Sequence, residues 1–127
     1  MLLKNYGVIK KMISGTAFEQ GEIVLVPFPF SDLSISKQRP VLIISKNVYN
    51  QNSEDIITCG ITSYLKNAPC SVLIDNKNLI NGSIPKKSRI KVDKLFTIKK
   101  DLVRRKIAQI NKQTFDQVKC EFLKLIN

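Results

Sequence analysis

Residues 22–28 form a nearly continuous apolar run rich in β-branched side chains, the pattern of a strand buried on both faces. Pro27 and Pro29 bring that run to an end, because proline cannot donate to a sheet ladder. Residues 30–38, FSDLSISKQ, are mostly small and polar and predict a loop. Pro40 opens a second strand where its missing N–H is tolerable, and Val41, Leu42, Ile43 and Ile44 fill it. Residues 45–53 are polar, and Asn47, Asn50 and Asn52 predict a turn or one short helical turn. Residues 56–62 predict a third strand, with Gly60 marking a bulge or a close backbone approach. Residues 71–75 make a fourth strand, and Asn81-Gly82 is a turn signal. Residues 88–93 alternate polar and apolar, as a half-exposed strand does, and residues 106–110 predict a short final strand.

The period then changes. Asn111 is a candidate N-cap, and Phe115, Val118, Phe122 and Leu125 recur at helical spacing, with Lys112, Asp116, Lys119 and Lys124 outside that stripe. One amphipathic C-terminal helix lying on the sheet follows. Several short strands and such a helix predict a mainly β chain built as a small, strongly curved β-barrel. Residues 1–20 show little periodicity and read as a loosely attached, flexible N-terminal arm, leaving residues 21–127 as a single domain. Met12 offers an alternative start, with the preceding residues a translated leader.

Charge changes the picture. The net charge is +11, from 21 Lys+Arg against 10 Asp+Glu, which points to polyanionic partners such as RNA, DNA or acidic protein segments. Between Lys86 and Lys106 ten cations are opposed only by Asp93 and Asp101, an electrostatic footprint for phosphates or else one solvated strand face. Cys59, Cys70 and Cys120 lack CxxC spacing, and with no histidine in the chain they make no zinc set. They read as small apolar core residues in a reducing compartment. The N-terminal apolar run is too short and interrupted for a signal peptide, and no segment approaches the about 18 apolar residues of a membrane span. A cytoplasmic chain is expected. Without imidazoles, the leading candidate for chemistry is Arg39, a guanidinium set directly before Pro40 at the mouth of a strand.

The order GEIVLVPFPFSD, KQRPVLIIS, CGITSYL, PKKSRIKVDKLFTI and a closing helix resembles the MazF/PemK-like toxins of type II toxin–antitoxin systems, over nearly the whole chain apart from the arm. The resemblance implies an SH3-like barrel with appended helices, a homodimer, and metal-independent cutting of single-stranded RNA with no cofactor. It implies attack of the RNA 2′-hydroxyl on the adjacent phosphate, giving a 2′,3′-cyclic phosphate and a free 5′-hydroxyl and arresting growth. A cognate antitoxin with an acidic C-terminal segment is implied as partner, the pair together binding DNA. Arg39 falls where the family has the arginine of its RPxxVIS-type motif, and Thr62 matches the threonine ending its ITS or ITA strand. Both are therefore expected to be catalytic.

Physical chemistry agrees with that pairing. A phosphorane-like transition state gathers charge on its non-bridging oxygens, and a guanidinium offers them a rigid, permanently charged fork. A threonine hydroxyl is a poor base, so Thr62 is assigned positioning or an Arg39-assisted proton relay. Phe30, as a stacking platform, and Ser31, Gln38, Ser63 and Tyr64 are expected to touch RNA, and Lys86, Lys87 and Lys94 to meet its phosphates. Relatives often carry glycines and a Ser-Glu-Gln-like stretch before the arginine, whereas this chain has SDLSISKQ without glycine. Many also have glutamine where Lys94 stands. Asp75 is either a proton acceptor or a turn-former. Two other classes compete: a non-catalytic gyrase poison of the CcdB type, against which Arg39 with Thr62 argues, and an RNA-binding module on the same fold.

Overall fold

A computed structural model of the chain describes residues 17–28 and 37–127. Its strands are β1 (Glu22–Phe28), β2 (Lys37–Ile43), β3 (Asp55–Thr62), β4 (Ser71–Ile74), β5 (Leu79–Gly82), β6 (Ser88–Lys99) and β7 (Arg105–Ile110). A short helix α1 (Asn47–Asn52) links β2 to β3, and the C-terminal helix α2 (Lys112–Ile126) closes the chain. The strands pair antiparallel in one curled sheet of order β4-β6-β3-β2-β1-β7-β5. Among the described residues, no helix is long and apolar enough to cross a membrane.

Strand alternation divides the sheet into two apolar faces. Ile23, Leu42, Cys59, Ile61, Val72, Ile90, Val92 and Ile110 pack on one face with Val118 of α2, while Phe115 and Phe122 settle against them. Val24, Val26, Val41, Ile43, Ile56 and Ile98 pack on the other, under Phe18, Phe96, Leu102 and Val103. β1 is thus covered on both sides, as its unbroken apolar run requires. Removing any of these fully buried Ile, Leu or Val side chains from water contributes roughly 1.5–3 kcal/mol.

The longest strand changes face midway. Cys59 pairs with Leu95 but its neighbour Gly60 pairs with Lys91, so Val92, Asp93 and Lys94 bulge from β6. Three extra residues invert the alternation: Ile90 and Val92 face α2, whereas Phe96 and Ile98 face the opposite core. The irregularity foreseen at Gly60 is real, but the extra residues belong to the facing strand. A Cβ on Gly60 would meet Phe96 and Lys94 at 3.6 and 3.7 Å, ordinary contact.

Prolines are tolerated where a strand has one neighbour. Pro40 lies inside β2, which starts at Lys37, yet β3 pairing begins only at Val41. Pro27 likewise lies inside β1, opposite Gln38 and beyond Leu25, the last residue paired with β7. The expected loop therefore loses Lys37 and Gln38 to a strand, and residues 29–36 lie outside the described residues. Asn81-Gly82 ends β5 rather than forming a turn. Gly82 has φ +74°, and a Cβ there would sit 2.1 Å from the Ile107 carbonyl oxygen.

Asn111 caps α2 through Oδ1, which accepts from the Thr114 N–H at 2.8 Å. Thr114 and Val118 are buried and Phe115 and Phe122 half-buried, but Leu125 at the end of the expected stripe is exposed. Of the cysteines only Cys59 is core; Cys70 is half-buried and Cys120 exposed on α2. The last part of the expected arm is tied down. Phe18 O accepts from Asn50 Nδ2, Gln20 N–H donates to Asn47 Oδ1, and the Lys106 ammonium, paired with Glu22 at 3.3 Å, lies over the Phe18 ring. Residues 1–16 lie outside the described residues.

Candidate active site and nucleic-acid groove

The face carrying Val41 and Val24 is covered by Phe18, Leu102 and Val103 at one end and opens into a groove at the other. Alternation alone selects what lines it. Two residues before Val41 on β2 comes Arg39; on β3 Gly60 and Thr62 follow Ile56 at even spacing; on β6 Arg89 and Lys91 precede the bulge. The result is a cavity of about 280 Å³ lined by Phe28, Arg39, Thr62, Lys91, Lys94 and Phe96, with Pro40, Val41, Gly60 and Ile61. A second cavity of about 460 Å³ continues it, sharing Thr62, Lys91 and Lys94 and adding Tyr64, Lys66, Asn67, Pro69 and Arg89.

Five cations and no carboxylate line these two cavities. Among the described residues, none of the five sits in an ion pair. Such a one-signed, partly apolar cleft focuses positive potential on an incoming anion. The Arg39 guanidinium is exposed and lies 6.0 Å from the Phe28 ring centroid, which gives its flexible stem one side to rest on. Thr62 Oγ1 accepts the Tyr64 backbone N–H at 3.1 Å. That bond occupies a lone pair and leaves the hydroxyl proton to donate outward. A donor poised beside a guanidinium fits an anionic ligand.

The structure brings together Arg39, Thr62, Tyr64 and Lys94 of the residues expected from sequence. Gln38 is exposed on β2 opposite Pro27, and Ser63 is exposed just after β3; neither lines the groove. Lys86 and Lys87 are exposed before β6, outside both linings. Phe30 and Ser31 lie outside the described residues. Asp75 caps the short 3₁₀ turn Asn76–Asn78, its carboxylate accepting from Lys77 N–H at 2.8 Å, as a turn-former does.

Sequence reasoning missed Phe28, Lys66, Asn67 and Phe96 as lining residues, and took Arg89 and Lys91 only as part of a basic run. The alternation in 88–93 was a usable signal for those two, since Ile90 and Val92 must turn inward. Phe96 was hidden by the bulge that inverts its face. Among the described residues, no three His, Cys, Asp or Glu side chains gather as a metal site.

A curled antiparallel sheet, a C-terminal helix and a cationic groove across the sheet's open end define the class. The family profile described as PemK-like, MazF-like toxin of type II toxin–antitoxin system matches residues 19–126, and the chain belongs to that family. Its structure is similar to that of MazE–MazF from Deinococcus radiodurans (TM-score 0.69, 18% identity, covering 88% of this chain and 97% of that one). It is similar as well to a mycobacterial endoribonuclease (TM-score 0.68, 16% identity, 86% and 90% covered). The Mycobacterium tuberculosis toxin MazF-mt6 shows the same likeness (TM-score 0.65, 19% identity, 81% and 93% covered). No curated protein matches the chain.

Proposed function

We propose that this chain is the toxin of a type II toxin–antitoxin pair and acts as a metal-independent endoribonuclease on single-stranded RNA. The observation that carries this reading is the convergence of Arg39 and Thr62, from separate strands, on one cationic cavity without a carboxylate. Family membership and the resemblance to proteins described as endoribonucleases support it.

In this reading the RNA 2′-oxygen attacks the adjacent phosphorus, losing its proton, and the P–O5′ bond breaks as the 5′-oxygen takes a proton. Arg39 donates to the non-bridging oxygens, where charge grows as the phosphorane forms. Thr62 donates its hydroxyl to the same phosphate, because its oxygen is already engaged by the Tyr64 N–H. A chain without histidine has no imidazole pair for the proton transfers, so electrostatic stabilisation carries the rate. Lys91 and Lys94 hold the backbone that enters the groove, and Tyr64, 69% exposed, offers a face to an unpaired base. An antitoxin would silence the site by laying an acidic segment along these cations, and a homodimer would extend the groove. Two of the similar structures are MazE–MazF and an endoribonuclease with its cognate antitoxin.

The test is incubation of the purified protein with a long unstructured RNA in EDTA, followed by mapping of both new ends. Discrete cuts with 5′-hydroxyl and 2′,3′-cyclic phosphate ends are expected. Arg39→Ala should lower the rate on the order of 10²–10³-fold, and Thr62→Val should lower it while Thr62→Ser retains most activity. Intact RNA with a retained binding shift would leave a non-catalytic RNA-binding module instead.

A further inference from the structure

Thr62 has a second guanidinium beside it. Its direct cross-strand partner on β6 is Arg89, and residues so paired point to one face with Cβ atoms about 4.5–5.5 Å apart. On the other side, Val41 pairs with Gly60, and the same register continued by two residues sets Arg39 level with Thr62. Arg39, Thr62 and Arg89 therefore form a row across three neighbouring strands.

Arg89 is held differently from Arg39. Its Nη1 donates to Ser71 Oγ at 3.0 Å, and that hydroxyl donates to the Ala68 carbonyl at 2.6 Å. The guanidinium is therefore oriented before any ligand arrives. Its Nε is buried and has no hydrogen-bond partner among the described residues, and no carboxylate neutralises the group. A half-buried arginine that lines a cationic cavity without a counter-ion offers an anion the part of its guanidinium that faces the cavity, not the enclosed Nε, and that planar group fits a phosphodiester. It lines the second cavity beside Tyr64, Lys66, Lys91 and Lys94, downstream of Thr62 across the sheet.

We propose that Arg89 anchors the phosphate next to the scissile one, on the β4 side of Thr62, so that the RNA crosses the strands from Arg39 toward Ser71. Arg39 grips the reacting phosphate and Arg89 fixes the register of the chain passing over Thr62. This rests on the endoribonuclease reading above, whose loss would be seen separately.

The experiment uses an RNA cut by the wild-type protein, resynthesised with a single neutral methylphosphonate at each linkage flanking the cut. For the wild type, one adjacent linkage should be sensitive, its neutralisation raising KM about tenfold, the effect of one lost charge-assisted hydrogen bond. Arg89→Gln should raise KM similarly with kcat little changed, and should be indifferent to that methylphosphonate. Arg89→Lys, keeping charge without the fork, should fall between. Wild-type insensitivity to every flanking neutral linkage overturns the proposal without any variant, so a misfolded Arg89→Gln leaves the test intact. Equal sensitivity in wild type and Arg89→Gln overturns it too. Failure of the wild type to cut any RNA would remove the endoribonuclease reading and this one with it.

Discussion

Cys59 shows how much a single position depends on what surrounds it. It is fully buried between Leu42 and the α2-facing core, and its thiol is pushed up from 9.0 to about 12, first by burial and second by the Asp93 carboxylate. Because the native state keeps that proton longer than the unfolded chain, this group's contribution to stability is fully present below pH 9.0 and is lost as pH rises toward about 12. The slope from this one group reaches about 1.4 kcal/mol per pH unit. Denaturant titrations from pH 7 to 11 should show Cys59→Ala less stable at neutrality but with a shallower alkaline decline than the wild type. Equal declines would mean that the thiolate is not excluded. A thiol reagent at pH 8 should modify exposed Cys120 in the native protein and reach Cys59 only after unfolding. Sequence named Cys59 as core correctly but placed Cys120 with it, since helix phase, not composition, decides which side a cysteine takes. The same limit separates Arg39 and Thr62, whose motif neighbours mark them, from Arg89: local alternation gives the face it takes, but its place opposite Thr62 comes from a cross-strand register.

At the scale of elements, glycines that look alike in sequence behave differently. Gly82 has a positive φ and leaves no room for a Cβ, the Ile107 carbonyl oxygen being 2.1 Å from where it would stand. Gly82→Ala should therefore cost on the order of 2–4 kcal/mol through backbone strain and displacement of β7. Gly60→Ala, which meets only ordinary contacts, should stay within about 1 kcal/mol. Urea midpoints of the two variants measure this directly, and comparable losses would contradict the geometry. Asn81-Gly82 resembled a hairpin turn because the residues that permit positive φ are the same in turns and at strand ends. Element existence was readable wherever an apolar run or helical period was long. The second half of β6 was not, because the bulge at Val92, Asp93 and Lys94 breaks its period, and the short apolar run Leu95-Phe96-Thr97-Ile98 beyond it no longer continues the alternation of residues 88–93. Pro40 misled in the same way: its effect depends on whether a neighbouring strand lies on that side, a fact of sheet order.

For the whole molecule, the question is whether a net charge of +11 acts diffusely or through the groove. The basic run from Lys86 to Lys106 looked like one footprint, but folding scatters it. Lys106 pairs with Glu22, Lys100 donates to the Asn50 carbonyl, and Lys86 and Lys87 lie outside the groove. Arg89, Lys91 and Lys94 remain in it, joined by Arg39 and Lys66 from distant parts of the chain. Each phosphate neutralised on a single strand contributes about −0.7 to the slope of log Kobs against log salt. Five groove cations would give a slope of about −3 to −4. Binding of a 2′-O-methylated RNA, which lacks the attacking hydroxyl, can be followed by fluorescence anisotropy from low to moderate salt. Lys91→Gln and Lys94→Gln should each make the slope shallower by about 0.7. Lys119→Gln, exposed on α2 behind the opposite core, should leave it unchanged. If Lys119→Gln shifts the slope as much as Lys94→Gln does, the charge acts as a diffuse cloud. A slope that responds only to groove residues assigns RNA affinity to the same row of strands that holds Arg39, Thr62 and Arg89. Binding and chemistry would then share one surface, and an acidic segment covering it would block both together.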